Sequence, residues 1–453
     1  MSDTREIAGR ALAAADGDEA ELLVLSERSG LARFASSEVH QPTLIENTVV
    51  TMRIVRDGRV GIASTNRLDA DGLRELTARA GEAADSAVAE PDFPGLADPQ
   101  PLPEVEGCDA ALAGFGPEDQ ARLARAAIEA GSIGLYGFFT SAVTELAIRS
   151  TKGVDAGQRM TDATTLIVAA DEGESGYAEQ TTWKAARVNP AAVSREASEK
   201  AERTRGAQRP EPGVFRAVLE PYAFADLLQT FAYDAFGANG LLEERSYLAG
   251  RLGTKIVDEK ISIADNALDP EGMPKAFDFE GMPKQRVSLI ERGVAKGVVW
   301  DRKSAARAGD GHQTTGHAPP PVLAQFGPLA FSLVVDGGEA ESTDELAELV
   351  GDGIYVTRLH YLGIVDPREG VITGMTRDGT FRIRDGKIAE PLVNLRFTVS
   401  VPQMLENVPG LTRERELVNV SDFYGERYPM GARVPAIATA RFNITGVGSA
   451  PGI

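Results

Sequence analysis

The first 206 residues carry one order of predicted elements twice: a helix, a series of alternating strands and a second helix. In the first half, the segments ELLVLSERSGLARFA and NTVVTMRIVRDGRVGIASTN alternate apolar and polar residues with the period of two that half-buried strands show. Asp57-Gly58 lies between two of these runs and predicts a tight hairpin turn. The order therefore predicts a helix–β-meander–helix unit.

The second half repeats this order. The segments YGFFTSAVTELAIRSTKG and DATTLIVAADEGESGYAEQTT predict strands, and Asn189 followed by Pro190 predicts the cap and first turn of the next helix. When Gly61 is aligned with Gly176, the two halves are offset by 115 residues. We interpret the two units as similar halves of one N-terminal α/β part, consistent with an internal duplication.

Two segments rich in proline and poor in apolar residues predict where the chain divides. Residues 90–110 read as a linker between the two halves, and GAQRPEPG, from Gly206 to Gly213, reads as a domain boundary. We therefore predict an N-terminal domain over residues 1–206 and a C-terminal domain over residues 214–453.

The C-terminal domain is predicted to be rich in strands. VFRAVLEP predicts a strand and YAFADLLQTFAYDAF a helix, and the remainder consists mainly of short alternating runs. Turns are expected at Asp310-Gly311, Asp378-Gly379 and Asp385-Gly386. One further helix fits STDELAELV, with Ser342 or Thr343 as its cap. The chain is thus predicted to be α+β, with a mainly antiparallel β-sheet or barrel in its C-terminal domain.

The composition limits the classes of partner. The chain has 453 residues, 43% of them hydrophobic, and a net charge of −20. So acidic a surface repels nucleic-acid phosphates and anionic lipids. No segment approaches the roughly 20 apolar residues of a membrane span, and the N-terminus lacks the pattern of a signal peptide. We expect a cytoplasmic protein that binds neither nucleic acid nor membrane.

The single cysteine, Cys108, favours a reducing compartment because it cannot form an internal disulfide. A nucleophilic cysteine needs a base and a lowered pKa. The neighbouring carboxylates Glu104, Glu106 and Asp109 are expected to raise the pKa of this thiol instead. We expect an incidental cysteine in a loop.

Three segments, in order, resemble the TldD/PmbA family, whose members are linked to metal-dependent proteolysis of peptides. The first is RFASSEVHQ followed by GRVGIASTNRLD, the second is SYLAGRLGTKIVDEKISIADN, and the third begins at GIYVTRLHYLGIVDPREG. In this family, TldD-type subunits carry HExxxH on a helix near the start of the C-terminal domain and a cysteine near the C-terminus. Two histidines four residues apart on a helix lie on one face and can bind one zinc ion.

The matching segments here lack these ligands. The helix YAFADLLQTFAYDAFGANG contains no histidine, and its side chains with ligand capacity are Asp226, Gln229 and Asp234. The stretch SDFYGERYPMGARVP, which corresponds to the C-terminal cysteine region, contains no cysteine. The resemblance therefore implies a PmbA/TldE-type subunit with no catalytic residue, metal or cofactor of its own. Zinc is expected in a TldD-type partner subunit.

The four histidines are the remaining candidates for a site. His312 and His317 lie in GDGHQTTGHAPPP, and five-residue spacing does not place two side chains on one helix face. In the family this loop has asparagine where His317 stands. Three roles are open to this pair: a loop role, contact with a peptide or partner, and a metal site. His40 and His360 are expected to be structural, with His360 in a buried strand or facing a pocket.

Arg245 begins the matched segment RSYLAGRLG and is expected to line an interface or cleft. His312, His317, His360 and Arg245 are thus the predicted contacts to a peptide or partner. The leading hypothesis is a non-catalytic subunit of a TldD/TldE-type zinc metallopeptidase that acts on unfolded peptides. The alternatives are a stand-alone homodimer that binds peptides or small molecules, and a divergent hydrolase that uses His312, His317 and His360.

Overall fold

A computed structural model describes residues 4–13, 15, 17–309, 311–421 and 427–451. Its N-terminal domain is one six-stranded antiparallel sheet with strand order β3-β2-β1-β4-β5-β6. The strands are β1 (Glu19–Ala35), β2 (Glu38–Arg56), β3 (Arg59–Thr65), β4 (Leu135–Ser150), β5 (Asp155–Asp171) and β6 (Glu174–Thr182). The helices are α1 (Thr4–Leu12), α2 (Ala70–Ser86), α3 (Ala110–Ala113), α4 (Pro117–Ala130) and α5 (Pro190–Glu202).

The two halves of this domain are related by an approximate two-fold axis between β1 and β4. Each half places its three strands outward from that axis and packs its last helix on its outermost strand. Gly61 of β3 lies against the backbone of α2, and Gly176 of β6 lies against the backbone of α5 in the same way. A side chain at either glycine would overlap a helix backbone, so both positions require glycine for the same packing reason. The predicted helix–β-meander–helix halves are confirmed.

Local sequence signals account for several element ends. Asp57 and Gly58 have φ of 50° and 71°, as expected for a two-residue hairpin turn. The side chain of Asn189 accepts a hydrogen bond of 3.2 Å from the amide of Ala192 and caps α5. The carboxylate of Asp69 caps α2 by accepting from the amide of Gly72 at 2.7 Å.

The two faces of the N-terminal sheet pack against different parts of the molecule. Helices α1, α2, α4 and α5 pack on one face. The other face packs against the C-terminal domain, where Phe277, Phe279 and Tyr428 join a core cluster with Met160 of β5. Nearby, Arg427 Nε lies 3.3 Å from the Asp162 carboxylate, so a residue near the end of the chain reaches back to the first domain. Residues 87–109, which include the predicted linker except its last residue, hold no helix or strand, and α3 begins at Ala110.

The C-terminal domain contains two further six-stranded sheets. Their orders are β10-β9-β8-β11-β17-β16 and β12-β7-β18-β15-β13-β14, and the additional pairing of β12 with β13 closes five strands of the second sheet into a barrel. The strands are β7 (Gly213–Leu219), β8 (Ile263–Asp265), β9 (Val287–Glu291), β10 (Val294–Ala295), β11 (Leu333–Val335), β12 (Gly353–Asp366), β13 (Val371–Arg384), β14 (Lys387–Leu392), β15 (Leu395–Ser400), β16 (Glu416–Asn419), β17 (Gly431–Val434) and β18 (Ile437–Val447). The predicted α+β class with a β-rich C-terminal domain is confirmed.

The helices of this domain are few and mostly short. They are α6 (Pro221–Ala235), α7 (Ala238–Leu242), α8 (Arg302–Ala308), α9 (Thr343–Val350) and α10 (Val401–Met404). Ser342 caps α9, as the sequence indicates. Within the described ranges, no helix is both long and apolar enough to cross a membrane.

The prediction of a turn at Asp378-Gly379 is wrong. Both residues lie inside the continuous strand β13 with positive φ, and they form a bulge opposite Thr357. The side chain of Thr357 occupies the space that a side chain at residue 379 would need. The turn at Asp385-Gly386 is confirmed, while Asp310-Gly311 is only partly within the described residues.

Candidate functional site: a polar cleft beside helix α6

Helix α6 lies at the start of the C-terminal domain and is almost wholly buried. Pro221 occupies its first turn, where a missing amide hydrogen costs nothing. Its apolar residues, such as Phe224 and Leu228, are fully buried, and the helix contacts strands of both C-terminal sheets, including β12, β16 and β17. The helix is therefore held rigidly between the barrel and the second sheet.

The three polar side chains that the sequence identified on α6 face different surroundings. The Gln229 amide donates to the carbonyl of Ala330 at 3.2 Å, and the Asp234 carboxylate pairs with Arg245 at 2.9 Å. Asp226 is half-buried. Its burial is the main cause that raises its pKa to about 7, and repulsion from the Glu179 carboxylate adds to this effect. The three side chains therefore do not converge on one point.

Asp226 borders a buried network that joins the two domains. The Tyr177 hydroxyl donates to the Glu179 carboxylate at 2.6 Å, and the other oxygen of Glu179 accepts from the amide of Asn419 at 2.8 Å. Arg358 lies over the ring of Tyr177, 4.2 Å from its centre. Burial raises the pKa of Glu179 despite these hydrogen bonds. The network ties β6 of the first domain to β12 and β16 of the second.

The β13 bulge supplies the charge that balances Arg358. Asp378, at the bulge, forms an ion pair of 2.6 Å with the Arg358 guanidinium. Bulges commonly redirect a side chain in this way next to functional sites.

A second set of polar side chains, centred on Lys200, lies beside the Tyr177–Glu179 network. The Lys200 ammonium contacts the Glu220 carboxylate at 2.6 Å and that of Glu196 at 2.7 Å. Burial disfavours the ammonium, but these two carboxylates keep the pKa of Lys200 above its ordinary value. The Tyr222 hydroxyl donates to the carbonyl of Glu179 at 3.2 Å and so joins the two groups.

An open cleft of about 530 Å³ exposes part of these groups to solvent. Its lining comes from β6, α5, the first turn of α6, the start of β16 with the segment before it, and β17. It includes Glu179, Glu196, Tyr222, Arg187, Arg415, Glu416 and Arg433. Partial desolvation in the cleft and the carboxylates of Glu196 and Glu220 raise the pKa of Glu416, although this residue is exposed at the start of β16. The cleft thus presents both carboxylates and arginines to solvent.

The arginines of the cleft differ in how far they are neutralised. Arg187 pairs with Glu271 at 2.6 Å, and Arg433 pairs with Asp269 at 2.7 Å. Arg415 makes no ion pair or hydrogen bond with any residue in the part of the chain that the structure describes. Arg415 is therefore the cation of this cleft that is available to an anionic group of a ligand.

The donor set does not fit zinc. Within the described ranges, no three His, Cys, Asp or Glu side chains converge in a way that would hold a metal ion. Zinc prefers histidine and cysteine ligands, and α6 contributes neither. The charged and polar side chains of the cleft are able to bind a charged ligand through ion pairs and hydrogen bonds.

The two histidines of the loop are placed in different surroundings. The ring of His312 stacks on Trp300 at 4.4 Å and is exposed. His317 is fully buried, with Nε2 2.9 Å from Asp265 and Nδ1 2.9 Å from Thr315. Since both ring nitrogens of His317 already have partners, a metal would have to displace one of them.

The remaining predicted contact residues also lie apart. His360 is on β12 but is only half-buried, beside Tyr361, which is 78% exposed. The expectation of a buried strand is wrong here, because the outer end of β12 leaves the core. Arg245 is exposed and held by Glu243 and Asp234, each at 2.9 Å. The contact roles of these residues stay predictions.

Cys108 is half-buried, and burial is the main cause that raises the pKa of its thiol. The charge of Asp109 adds to this effect, while Arg159 opposes it. A raised pKa was expected, although the expected cause was the neighbouring carboxylates alone.

Comparisons with known proteins identify relatives over most of this architecture. The family profile described as PmbA/TldA metallopeptidase C-terminal domain matches residues 212–446, and the profile of PmbA/TldA metallopeptidase domain 1 matches residues 20–84. A protein named Metalloprotease from Methanothermobacter thermautotrophicus is 29% identical over 250 residues, which are 54% of this chain and 53% of that protein. A protein named Metalloprotease from Archaeoglobus fulgidus is 27% identical over 47% of this chain and 51% of its own length. The chain spans about half the length of these curated relatives.

The fold is shared with a solved structure. TldE from Thermococcus kodakarensis superimposes with a TM-score of 0.84 at 19% sequence identity, over 97% of this chain and 99% of that one. Since the C-terminal profile alone matches more than half of the sequence, the chain belongs to the PmbA/TldD metallopeptidase family.

Proposed function

We propose that this chain is a TldE-type, non-catalytic subunit of a heteromeric metallopeptidase that acts on unfolded peptides. Its partner is a TldD-type subunit that carries HExxxH and holds the zinc ion. The observation that carries this proposal is helix α6, which lies at the start of the C-terminal domain and has no histidine. Its polar side chains bind neighbouring groups of this chain or border the buried network, as in the Asp234–Arg245 pair.

The polar cleft suits a role in holding peptide rather than cleaving it. Unfolded peptides carry charged termini and side chains, and Arg415 offers a cation that forms no ion pair within the described residues, although Asp269 and Asp336 lie near enough to favour its charge. Carboxylates such as Glu196 and Glu416 line the same cleft. We propose that the cleft contacts the peptide while the partner performs the hydrolysis, and that the complex works in the cytoplasm.

The test is to produce the tagged chain together with an HExxxH-bearing family member from the same genome. We expect the two to co-purify, and we expect zinc and cleavage of an unstructured peptide to require the HExxxH subunit. A variant of the partner with both motif histidines replaced by alanine is the control, and it should abolish cleavage without separating the subunits.

A different result would contradict the proposal. If the isolated chain binds one zinc ion per molecule and cleaves the peptide, and the His312→Ala/His317→Ala variant loses both properties, the chain is itself a hydrolase. If the isolated chain forms a stable homodimer and ignores the HExxxH protein, it is a stand-alone binding protein instead.

A further inference from the structure

The layer of helices over the N-terminal sheet leaves a gap near the approximate two-fold axis. Helices α1 and α2 pack over one end of β1, at Leu22 and Val24, and helices α4 and α5 pack over its other end, at Phe34. Every second side chain of a strand points to the same face, so Arg28 lies on this face between the two ends. The gap is a cavity of about 440 Å³, which is a usual size for a small-molecule site.

Part of the cavity wall is apolar. Its apolar side chains come from β2, from β4, from α3 and from the loop before α4, and they are Leu44, Val143, Leu112 and Phe115. Leu112 and Val143 are buried, whereas Leu44 is 63% exposed. Such a wall suits an aliphatic or aromatic group of a ligand.

The cavity also holds two opposite charges that do not pair with each other. Of the described residues that line it, only Arg28 and Glu46 are charged. They lie directly opposite each other on β1 and β2, where the Cβ atoms of such a pair are about 5 Å apart. The Arg28 guanidinium instead donates to the carbonyl of Ala113, and neither charge forms an ion pair with any residue that the structure describes. Both charges are therefore available to a ligand.

A buried glutamine adds an unpaired acceptor to the wall. Gln120 of α4 is 7% exposed, and its Nε2 donates to the hydroxyl of Ser141 at 2.6 Å. Its carbonyl oxygen, Oε1, has no hydrogen-bond partner among the described residues. Gly30 makes room for this side chain, since an added carbon at residue 30 would lie 2.8 Å from Nε2. A buried acceptor without a partner is costly, so a ligand that donates a hydrogen bond to Oε1 is favoured.

We propose that this cavity binds a free α-amino acid with an apolar side chain. The carboxylate of the ligand binds the Arg28 guanidinium, its ammonium has Glu46 and the Gln120 oxygen as acceptors, and its side chain packs on the apolar wall. One positive and one negative charge in the wall match a zwitterion, whereas a simple fatty acid or amine leaves one of them unmatched. No described residue lines both this cavity and the polar cleft, so the inference goes beyond the proposed function.

Isothermal titration calorimetry on the purified chain, with L-leucine and L-phenylalanine as probes, tests this proposal. We expect both to bind, and we expect Arg28→Met or Glu46→Gln to weaken binding at least about tenfold, because each removes a charge-assisted hydrogen bond. Arg33→Met is the matched control: it makes the same substitution on the same strand, at an exposed residue outside the cavity, and should bind like the wild type. Circular dichroism of each variant establishes that it is folded.

Two analogues of leucine provide a second measurement that does not depend on a variant. Isocaproate lacks the ammonium of leucine, and isoamylamine lacks its carboxylate. Each should bind the wild type at least about tenfold more weakly than leucine, because one charge of the cavity stays unmatched.

Three results would each overturn the proposal. The first is that neither amino acid binds the wild type at concentrations up to about 10 mM. The second is that Arg28→Met and Glu46→Gln bind leucine as tightly as the wild type does, which would place the ligand elsewhere. The third is that isocaproate or isoamylamine binds as tightly as leucine. The proposed function stands in each case, because it depends on the partner subunit and not on this cavity.

Discussion

The imidazole Nε2 of His317 lies 2.9 Å from the carboxylate of Asp265, with both side chains buried beneath the surface of the C-terminal domain. The second oxygen of Asp265 accepts from the amide of Ser332 at 2.9 Å. Burial opposes ionisation, but His317 and the Lys284 ammonium help to hold the pKa of Asp265 below its ordinary value. Asp265 is thus a buried anion, and each of its oxygens has a hydrogen-bond partner.

We therefore expect His317→Ala to destabilise the protein by about 3 kcal/mol, because it removes the hydrogen-bond partner of one oxygen of a buried carboxylate. His317→Asn should cost less, since an amide can still donate a hydrogen bond toward Asp265. Urea unfolding measures both variants, and exposed His312→Ala serves as the control. Equal stability of the alanine and asparagine variants would show that the hydrogen bond to Asp265 contributes little.

Asp226 on α6 should make stability depend on pH. Its pKa is raised to about 7, well above the value of about 3.9 that an unfolded aspartate has. The folded state holds the proton more tightly, so this stabilisation is present at low pH and is lost as pH rises through about 7. Asp226→Asn should show a smaller fall in Tm between pH 5 and pH 8 than the wild type.

Thermal unfolding at four pH values in this range checks the prediction. Asp92→Asn removes an exposed carboxylate elsewhere and controls for the change in net charge. If the wild type and Asp226→Asn have parallel profiles, Asp226 does not titrate in this range.

Gly61 and Gly176 should be equally intolerant of substitution. Alanine at either residue forces a strand away from the helix that packs on it, which we expect to cost about 3 kcal/mol. Gly213→Ala is the control, since no atom lies near the added carbon there. Denaturant unfolding measures all three variants, and a neutral effect at only one of the two sites would argue against equivalent packing in the two halves.

Arg415 should select for acidic peptides. Arg415→Glu reverses the charge of a guanidinium that has no partner in the cleft, so we expect the complex with the partner subunit to bind an acidic peptide about tenfold more weakly. Binding of a neutral peptide should change little. Fluorescence anisotropy with labelled peptides provides the measurement.

The control for this prediction is Arg413→Glu, which alters a nearby exposed arginine that pairs with Glu341. Equal losses in both arginine variants would mean that the overall charge of the surface, and not the cleft, determines binding.

Local signals in the sequence were sufficient to predict most elements. Helix caps and hairpin turns depend on contacts within a few residues, so they can be predicted from short segments. This holds for the caps Asn189 and Ser342 and for the turn at Asp57-Gly58. The alternation around His360 predicted its strand correctly, but it does not show whether both faces of a strand are covered. The exposure of Tyr361 was therefore missed.

The cleft could not be predicted for a related reason. Glu179 and Asn419 meet across 240 positions of sequence, and Arg358 comes close to Tyr177 only because the barrel packs on the first sheet. Each of these residues is unremarkable within its own segment. The lack of histidine on α6, in contrast, can be read from the sequence alone, because the HExxxH motif occupies only six consecutive residues.

The contact between Arg427 and Asp162 has a consequence for synthesis of the chain on the ribosome. The two residues are separated by 265 positions, so at roughly 5–20 residues per second the second emerges on the order of 10–50 s after the first. Within this interval the first domain completes its six strands, and the apolar surface around Met160 stays open until Phe277 and Phe279 emerge and lacks Tyr428 until later still. The nascent chain therefore presents a temporary binding site for chaperones, which is fully covered only after Tyr428 has been synthesised.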